Sequence, residues 1–215
     1  QGTSYAYANT VLNQLIENLP ARSHHTQHWV KSMLIPALSV EEAGLPENTT
    51  DDAWRATRAR VLLQLGQARA AYKILQSVDT TALGRNPNLA QVWVQTSLMA
   101  GEIKRGCSFI RQQVLNTNVG FWPRALMSCQ ALQKETPALE LSLKTLREDI
   151  KAEDPALFIL LNATLNGTEM IERTGPVTPL QAVIYAAYPN FITQDIIPQL
   201  PDIMAQRVRD TQALS

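Results

Sequence analysis

Few cysteines, few acids in the middle of the chain and no long apolar run set the first limits on this 215-residue protein. No window holds about 18 consecutive apolar residues, so no transmembrane helix is predicted. The N-terminus, Gln1-Gly2-Thr3-Ser4, has neither a basic region nor an apolar core, so it does not predict a signal peptide. Phosphate-loop, dinucleotide and serine-hydrolase signatures are missing. The sequence therefore indicates no enzyme class and no cofactor.

Acidic side chains are scarce between residues 53 and 134. This segment holds eleven Lys and Arg residues but only Asp79 and Glu102 as acids, whereas both flanking segments are net negative and the whole chain is neutral. One interpretation is charge complementarity between packed segments. The other is a positive face for an acidic partner. The neutral total and the lack of a nucleic-acid motif argue against a nucleic-acid partner.

Strand signals are also nearly absent, whereas helix starts are clear. A capping side chain followed by proline at the first helical position occurs four times, at Asn86-Pro87, Thr136-Pro137, Asp154-Pro155 and Thr178-Pro179. Apolar residues between these starts recur with the helical spacing. We predict an all-α chain with an N-terminal helical portion (1–50), three helix pairs (51–150) and an irregular C-terminal capping portion (151–215).

A helical module recurs within the central portion. Residues 61–71 are echoed by residues 96–106, and Gly66 and Gly101, 35 positions apart, each separate two helical stretches. A third, weaker copy has Lys134-Glu135 where the glycine would stand. A period of this length is typical of antiparallel helix pairs stacked into an α–α superhelix, which usually serves as a binding surface.

The central portion resembles the tetratricopeptide (TPR) repeat family over about 100 residues. The positions that match are Ala59, Leu62, Gly66, Ala71, Leu75 and Val78 in the first copy, Gly101 and Gly106 in the second, and Trp122 and Ala138 in the third. The family's closing proline is missing, and the second copy is longer than the family pattern. The resemblance implies a TPR-like solenoid that binds a protein or peptide on its concave face.

Cys107 and Cys129 are the only cysteines. Each lies about two turns from the connection between two neighbouring predicted helices, so their sulfurs would stand at the same level in an antiparallel pair. A disulfide there would stabilise the fold by about 3 kcal/mol and would imply an oxidising compartment such as a periplasm. The alternative is two separate buried thiols, compatible with a cytoplasmic protein.

Basic and aromatic side chains of the central portion are the candidates for partner binding. They are Arg55, Arg58, Arg69, Arg105 and Arg124, together with Trp54, Trp93 and Trp122. The tryptophans occur once per proposed repeat, which structural packing of each helix pair also explains. His24 and His28 would share a helix face, but no third ligand accompanies them, so no metal site is expected.

The leading hypothesis is a non-enzymatic helical protein that binds an acidic or extended protein partner, outside the cytoplasm of a bacterium. One rival is a helical accessory region of a cell-wall-acting enzyme. Another is a carrier of an apolar ligand, suggested by the strongly apolar stretch from Leu157 to Leu165.

Overall fold

A computed structural model describes residues 51–117, 120–167 and 176–191, together with Ile196 and Leu200. These residues form ten α-helices and one short 3₁₀ helix, Pro189–Phe191. The helices are α1 (Asp51–Gln64), α2 (Ala68–Leu75), α3 (Thr80–Arg85), α4 (Pro87–Ala100), α5 (Ile103–Val114), α6 (Phe121–Leu132), α7 (Thr136–Thr145), α8 (Glu148–Glu153), α9 (Pro155–Asn166) and α10 (Pro179–Ala187). No strand occurs in these ranges, which confirms the all-α prediction. The predicted N-terminal portion, with His24 and His28, lies outside the described residues.

The chain divides into two compact units, residues 1–96 and 97–215. The boundary falls within α4, and the predicted division into portions 1–50, 51–150 and 151–215 stays a prediction. The described part of the N-terminal unit contains α1, α2, α3 and most of α4. The C-terminal unit contains the end of α4 and all later helices.

Side-chain caps begin three helices where the sequence predicts them. The amide of Leu89 donates to the Asn86 side chain at 3.1 Å, and the amide of Leu157 donates to Asp154 at the same distance. Thr178 starts α10 in a full capping box. At Thr136-Pro137 the prediction is wrong by one residue, because the helix already begins at Thr136 and its N-cap makes no side-chain hydrogen bond.

The connections α1–α2, α4–α5 and α6–α7 share one turn geometry. Each contains a residue with left-handed backbone: Gly66 (φ 75°), Gly101 (φ 93°) and Lys134 (φ 58°). The amide of that residue donates to the carbonyl three residues earlier at 3.0–3.1 Å. The next amide donates to the carbonyl five residues earlier at 2.7–2.9 Å. This pattern of two hydrogen bonds is the Schellman motif, which satisfies carbonyls that a helix end leaves free.

In the N-terminal unit, α1 and α2 pack against each other as a helical hairpin across the Gly66 turn. Small and aliphatic side chains fill the contact, and the fully buried ones are Ala59, Leu62, Ala71 and Leu75. These four are among the positions on which the family resemblance rests. Alanine at two of them lets the helix backbones approach closely.

In the C-terminal unit, α6 is the central helix, and α5, α7, α9 and α10 all pack against it. Nine of its twelve residues are buried, so it has no continuous polar face. Gly106 at the start of α5 allows a close approach to the end of α4, because a Cβ there would lie 2.9 Å from Leu98 Cδ2. The strongly apolar stretch suggested for a ligand carrier is core, since Leu157 and Leu161 are fully buried in α9.

Asp154 joins the starts of α9 and α10. One carboxylate oxygen, Oδ1, accepts from the Leu157 amide and from Gln181 Nε2, the latter at 2.6 Å. The other, Oδ2, accepts from the Thr178 hydroxyl at 3.3 Å. The same carboxylate therefore caps one helix and holds the capping box of the next.

Candidate partner-binding surface

The two cysteines meet across α5 and α6. Their sulfur atoms lie 2.03 Å apart, at disulfide distance, and both residues are fully buried. The prediction that these sulfurs face each other between neighbouring helices is confirmed. The link joins α5 to α6 within the C-terminal unit, and the two cysteines lie 22 positions apart in the sequence.

The three candidate tryptophans are buried. Trp54 is 9% exposed, Trp93 is 2% exposed and Trp122 is 5% exposed. Trp122 packs with Phe121 and Phe109, at ring-centre distances of 5.3 and 6.1 Å. Burial of this kind favours the packing interpretation of the indoles over the interpretation that they anchor a peptide.

Arg58 is also buried, with 5% of its surface exposed. Its guanidinium carbon lies 5.9 Å from the centre of the Trp54 ring, within the range of a cation–π contact. Burial lowers the pKa of Arg58 from its ordinary value, and the positive charge of Arg55 lowers it further. Arg58 therefore belongs to the packing of the N-terminal unit, where only a small part of it can reach a partner.

Carboxylates pair with two of the other predicted arginines. Arg124 Nη2 lies 2.8 Å from Glu153 Oε2 and links α6 to the end of α8. Arg55 lies 3.9 Å from Asp52, one turn earlier on α1. The Arg124–Glu153 pair joins the acid-poor segment to a later helix, as charge complementarity between packed segments predicts, whereas the Arg55–Asp52 pair lies within one helix.

Arg111, which is not among the predicted binding residues, makes a further link between helices. Its Nη2 donates to Glu135 Oε1 at 2.6 Å and to Gln133 Oε1 at 2.5 Å, so α5 is tied to the turn between α6 and α7. A basic residue in an acid-poor segment gives no sign that its partner lies 24 positions away. Only the packing of α5 against α6 brings Arg111 beside the turn that holds Glu135.

Arg69 and Arg105 are the two predicted arginines that are exposed. Arg69 stands on α2 and Arg105 in the first turn of α5. Lys73 is exposed one turn after Arg69, on the same face of α2, and no ion pair joins Arg69 or Lys73 to another described residue. Lys73 is not among the predicted binding residues, although its four-residue spacing from Arg69 indicates that both lie on one helix face.

The α1–α2 hairpin carries five cations and no acid from residue 53 to residue 78. Three of them are exposed: Arg60, Arg69 and Lys73. We call these three residues the hairpin cations. The acids of the hairpin are Asp51 and Asp52 at the start of α1, so its cations outnumber its acids by five to two. The resulting positive field acts at short range, and salt at about 0.1 M would screen it beyond about 10 Å.

Among the described residues, no three His, Cys, Asp or Glu side chains come together as a possible metal site. In that same part of the chain, every helix is too short or too polar to cross a bilayer.

Comparison of the chain with protein-family models, with curated proteins and with solved structures finds no match.

Proposed function

We propose that this protein is a non-enzymatic, TPR-like helical interaction module that binds an acidic protein partner. The observation that carries the proposal is the α1–α2 hairpin, where the hairpin cations are exposed and no acid accompanies them over residues 53–78. A surface of one charge sign attracts its opposite and speeds association.

The placement of Arg69 and Lys73 supports this role. The two side chains lie one turn apart on α2, so both can reach the same segment of a partner. An exposed cation without a nearby carboxylate can bind a partner carboxylate at little cost in free energy, because no existing ion pair must break. Arg124 and Arg111, by contrast, already hold carboxylates of their own unit.

The recurring turn supports the TPR-like part of the proposal. The same Schellman geometry ends the first helix of each proposed pair, at Gly66, Gly101 and Lys134. Spacings of 35 and 33 residues between these turns fit a solenoid of helix pairs. Solenoids bind protein segments on an extended surface.

The buried cysteine pair supports an extracytoplasmic location as part of the same proposal. Sulfurs at bonding distance inside a unit form a disulfide in an oxidising compartment, whereas the cytosol keeps such pairs reduced. Acid-quenched protein from its native source should show no thiol that reacts with maleimide after denaturation. Two reactive thiols per chain would contradict the location.

Affinity capture from native cell extract tests the binding role, with Lys73→Glu against Lys144→Glu as a matched pair. Both lysines are exposed and stand in the last turn of a short helix, so the two substitutions change the net charge by the same amount. Lys144→Glu also breaks the exposed pair that Lys144 makes with Glu140, so thermal unfolding checks that this variant still folds. We expect Lys73→Glu to recover about fivefold less of the partner, and Lys144→Glu to recover as much as wild type. Equal recovery by all three baits would overturn the electrostatic role of the hairpin.

A further inference from the structure

The cysteine pair is enclosed within the C-terminal unit. Cys107 and Cys129 are both 0% exposed. The residues on either side of Cys129 are buried as well, and α5, α7, α9 and α10 all pack against the helix that carries it. Next to Cys107, Gly106 lies so close to the end of α4 that a Cβ there would stand 2.9 Å from Leu98 Cδ2. The folded unit therefore covers both sulfurs.

This enclosure limits when the two cysteines can be joined. A disulfide forms by exchange, in which a thiolate attacks a disulfide sulfur and passes through a mixed disulfide, so the oxidant must touch the sulfur. An oxidant of protein size cannot touch a sulfur that packed helices cover. Exchange at Cys107 or Cys129 therefore needs a chain in which α5 and α6 are not yet packed, or one that has opened.

In the unfolded chain the two thiols have different neighbours. Three cations and no acid lie within four positions of Cys107, namely Lys104, Arg105 and Arg111, whereas no charged residue lies within four positions of Cys129. Neighbouring Lys and Arg side chains favour the thiolate, which is the form that attacks a disulfide. Cys107 is therefore the cysteine that reacts first with an oxidant.

The second thiol reaches the first without any folded structure. The cysteines are 22 positions apart, and an unfolded segment of this length closes at a small cost in entropy and within about a microsecond. Once Cys107 carries an oxidant, Cys129 can complete the exchange on the unfolded chain.

We propose that a protein thiol oxidase forms the Cys107–Cys129 disulfide on the unfolded chain, entering at Cys107, before the C-terminal unit folds around it. The Cys107 thiolate attacks the disulfide of the oxidase and displaces one oxidase sulfur as a thiolate. The Cys129 thiolate then attacks the Cys107 sulfur, so the intramolecular disulfide forms and the other oxidase sulfur leaves. Two electrons and two protons pass to the oxidase, which ends as a dithiol.

This proposal rests on the proposed function in one respect, the extracytoplasmic location. Disulfides form and persist in oxidising compartments, and a bacterial periplasm is kept oxidising by thiol oxidases rather than by a thiol buffer. The partner class is therefore a protein that carries a reactive disulfide.

Reduction of the folded, oxidised full chain tests the enclosure. Ser108 is exposed on α5 beside Cys107, so a Ser108→Cys variant that carries glutathione has an exposed and an enclosed disulfide in one molecule. Dithiothreitol is added, and alkylated samples are analysed by mass spectrometry. We expect glutathione to leave at least about 100-fold faster than the Cys107–Cys129 link opens. Wild type unfolded in urea should lose its link at nearly the rate of the adduct, and similar rates in the folded variant would overturn the proposal.

Oxidation of the reduced chain tests the order of events. Reduced wild type is diluted from urea directly into a purified periplasmic thiol oxidase, or is first left to refold while tryptophan fluorescence is recorded. We expect oxidation to be at least about 100-fold slower after refolding. A reduced chain that does not refold supports the same order, because folding then waits for oxidation. A refolded chain that is oxidised as fast as the unfolded one would overturn it.

Two matched variants test the point of entry. Cys129→Ser keeps only the thiol of Cys107, and Cys107→Ser keeps only that of Cys129, so each forms a mixed disulfide that cannot resolve. We expect the chain that keeps Cys107 to form it about two- to fivefold faster at low salt, and about 1 M salt to reduce this difference. Equal rates at low salt would overturn the assignment of Cys107 as the first cysteine to react.

The outcomes separate this proposal from the proposed function. If native protein carries two free thiols but both exchange tests give the expected rates, the extracytoplasmic location fails and the order of oxidation and folding stands as a property of the chain. If native protein is oxidised but its folded form exchanges as fast as its unfolded form, the location stands and this proposal fails. Neither result changes the expected effect of Lys73→Glu on partner capture.

Discussion

The two units use positive charge in opposite ways. In the N-terminal unit the hairpin cations make no ion pair among the described residues, and Arg55 pairs with Asp52 within the same helix. In the C-terminal unit Arg111 and Arg124 join different helices through Glu135 and Glu153. One acid-poor segment of sequence therefore contains both structural charges and charges that face solvent, and composition alone does not separate them.

The same turn is built from different residues. Glycine takes the left-handed position at Gly66 in the N-terminal unit and at Gly101 in the C-terminal unit, whereas Lys134 takes it in the α6–α7 turn of the C-terminal unit. An L-residue in this conformation costs roughly 1–2 kcal/mol. The C-terminal unit offsets that cost with links that the hairpin lacks, since the cysteine pair and the Arg111–Glu135 pair both join helices next to the Lys134 turn.

Removing the link between Cys107 and Cys129 should cause the largest change in the stability of either unit. The double variant Cys107→Ala/Cys129→Ala should lose about 3 kcal/mol of unfolding free energy, because the unfolded chain regains the entropy of a closed loop. Urea denaturation measures the loss, and amide exchange in α5 and α6 should accelerate. Wild type unfolded with reductant should approach the variant. Equal stability of the double variant and of wild type without reductant would contradict a structural disulfide.

Exchanging the turn residues should have a smaller effect, of opposite sign in the two units. Gly66→Ala should destabilise by about 1 kcal/mol, because φ at 66 is 75° and alanine has a Cβ that opposes this conformation. Lys134→Gly should stabilise by up to about 1 kcal/mol, because it relieves the same strain. Gly84→Ala is a suitable control, since its φ is not positive and a Cβ there meets no atom within 4 Å. Destabilisation by Lys134→Gly would show that the lysine is not strained.

The hydrogen bond of Tyr188 should contribute no more stability than the turn residues, and its contribution depends on pH. Its hydroxyl donates to the Ala131 carbonyl at 2.7 Å, and burial raises the pKa of the phenol. Tyr188→Phe should cost about 1 kcal/mol at neutral pH. The unfolded phenol ionises first, at about pH 10, so the stability that the tyrosine contributes is present below that pH and decreases as the pH rises further. The difference between wild type and variant should therefore shrink above pH 10, and a constant difference would contradict the raised pKa.

Local signals in the sequence predicted much of the fold. Caps at Asn86, Asp154 and Thr178 act within three residues of themselves, so they marked three helix starts correctly. Thr136 failed because the preceding Schellman turn places Glu135 at the N-cap and Thr136 inside the helix. That turn depends on the left-handed conformation of Lys134, and the sequence has no glycine at this position to indicate it.

The candidate surface was harder to predict, because exposure depends on helix phase and on partners far away in sequence. Arg58 and Arg60 are two positions apart on α1, yet the first is buried and the second is exposed. Nothing next to Arg124 in the sequence marks Glu153 as its partner. The binding roles of Arg69 and Arg105 remain predictions, and Lys73 joins them only because the structure shows its exposed face.

The most direct test of the central claim is the affinity for an acetylated, amidated heptapeptide with six glutamates around a central alanine, measured by fluorescence anisotropy for wild type, Lys73→Glu and Lys144→Glu at two ionic strengths. We predict that at low salt Lys73→Glu binds about fivefold more weakly than Lys144→Glu, and that about 1 M salt removes the difference, because the Debye length there is about 3 Å. Equal affinities of the two variants at low salt would contradict the claim that the hairpin cations form the binding surface.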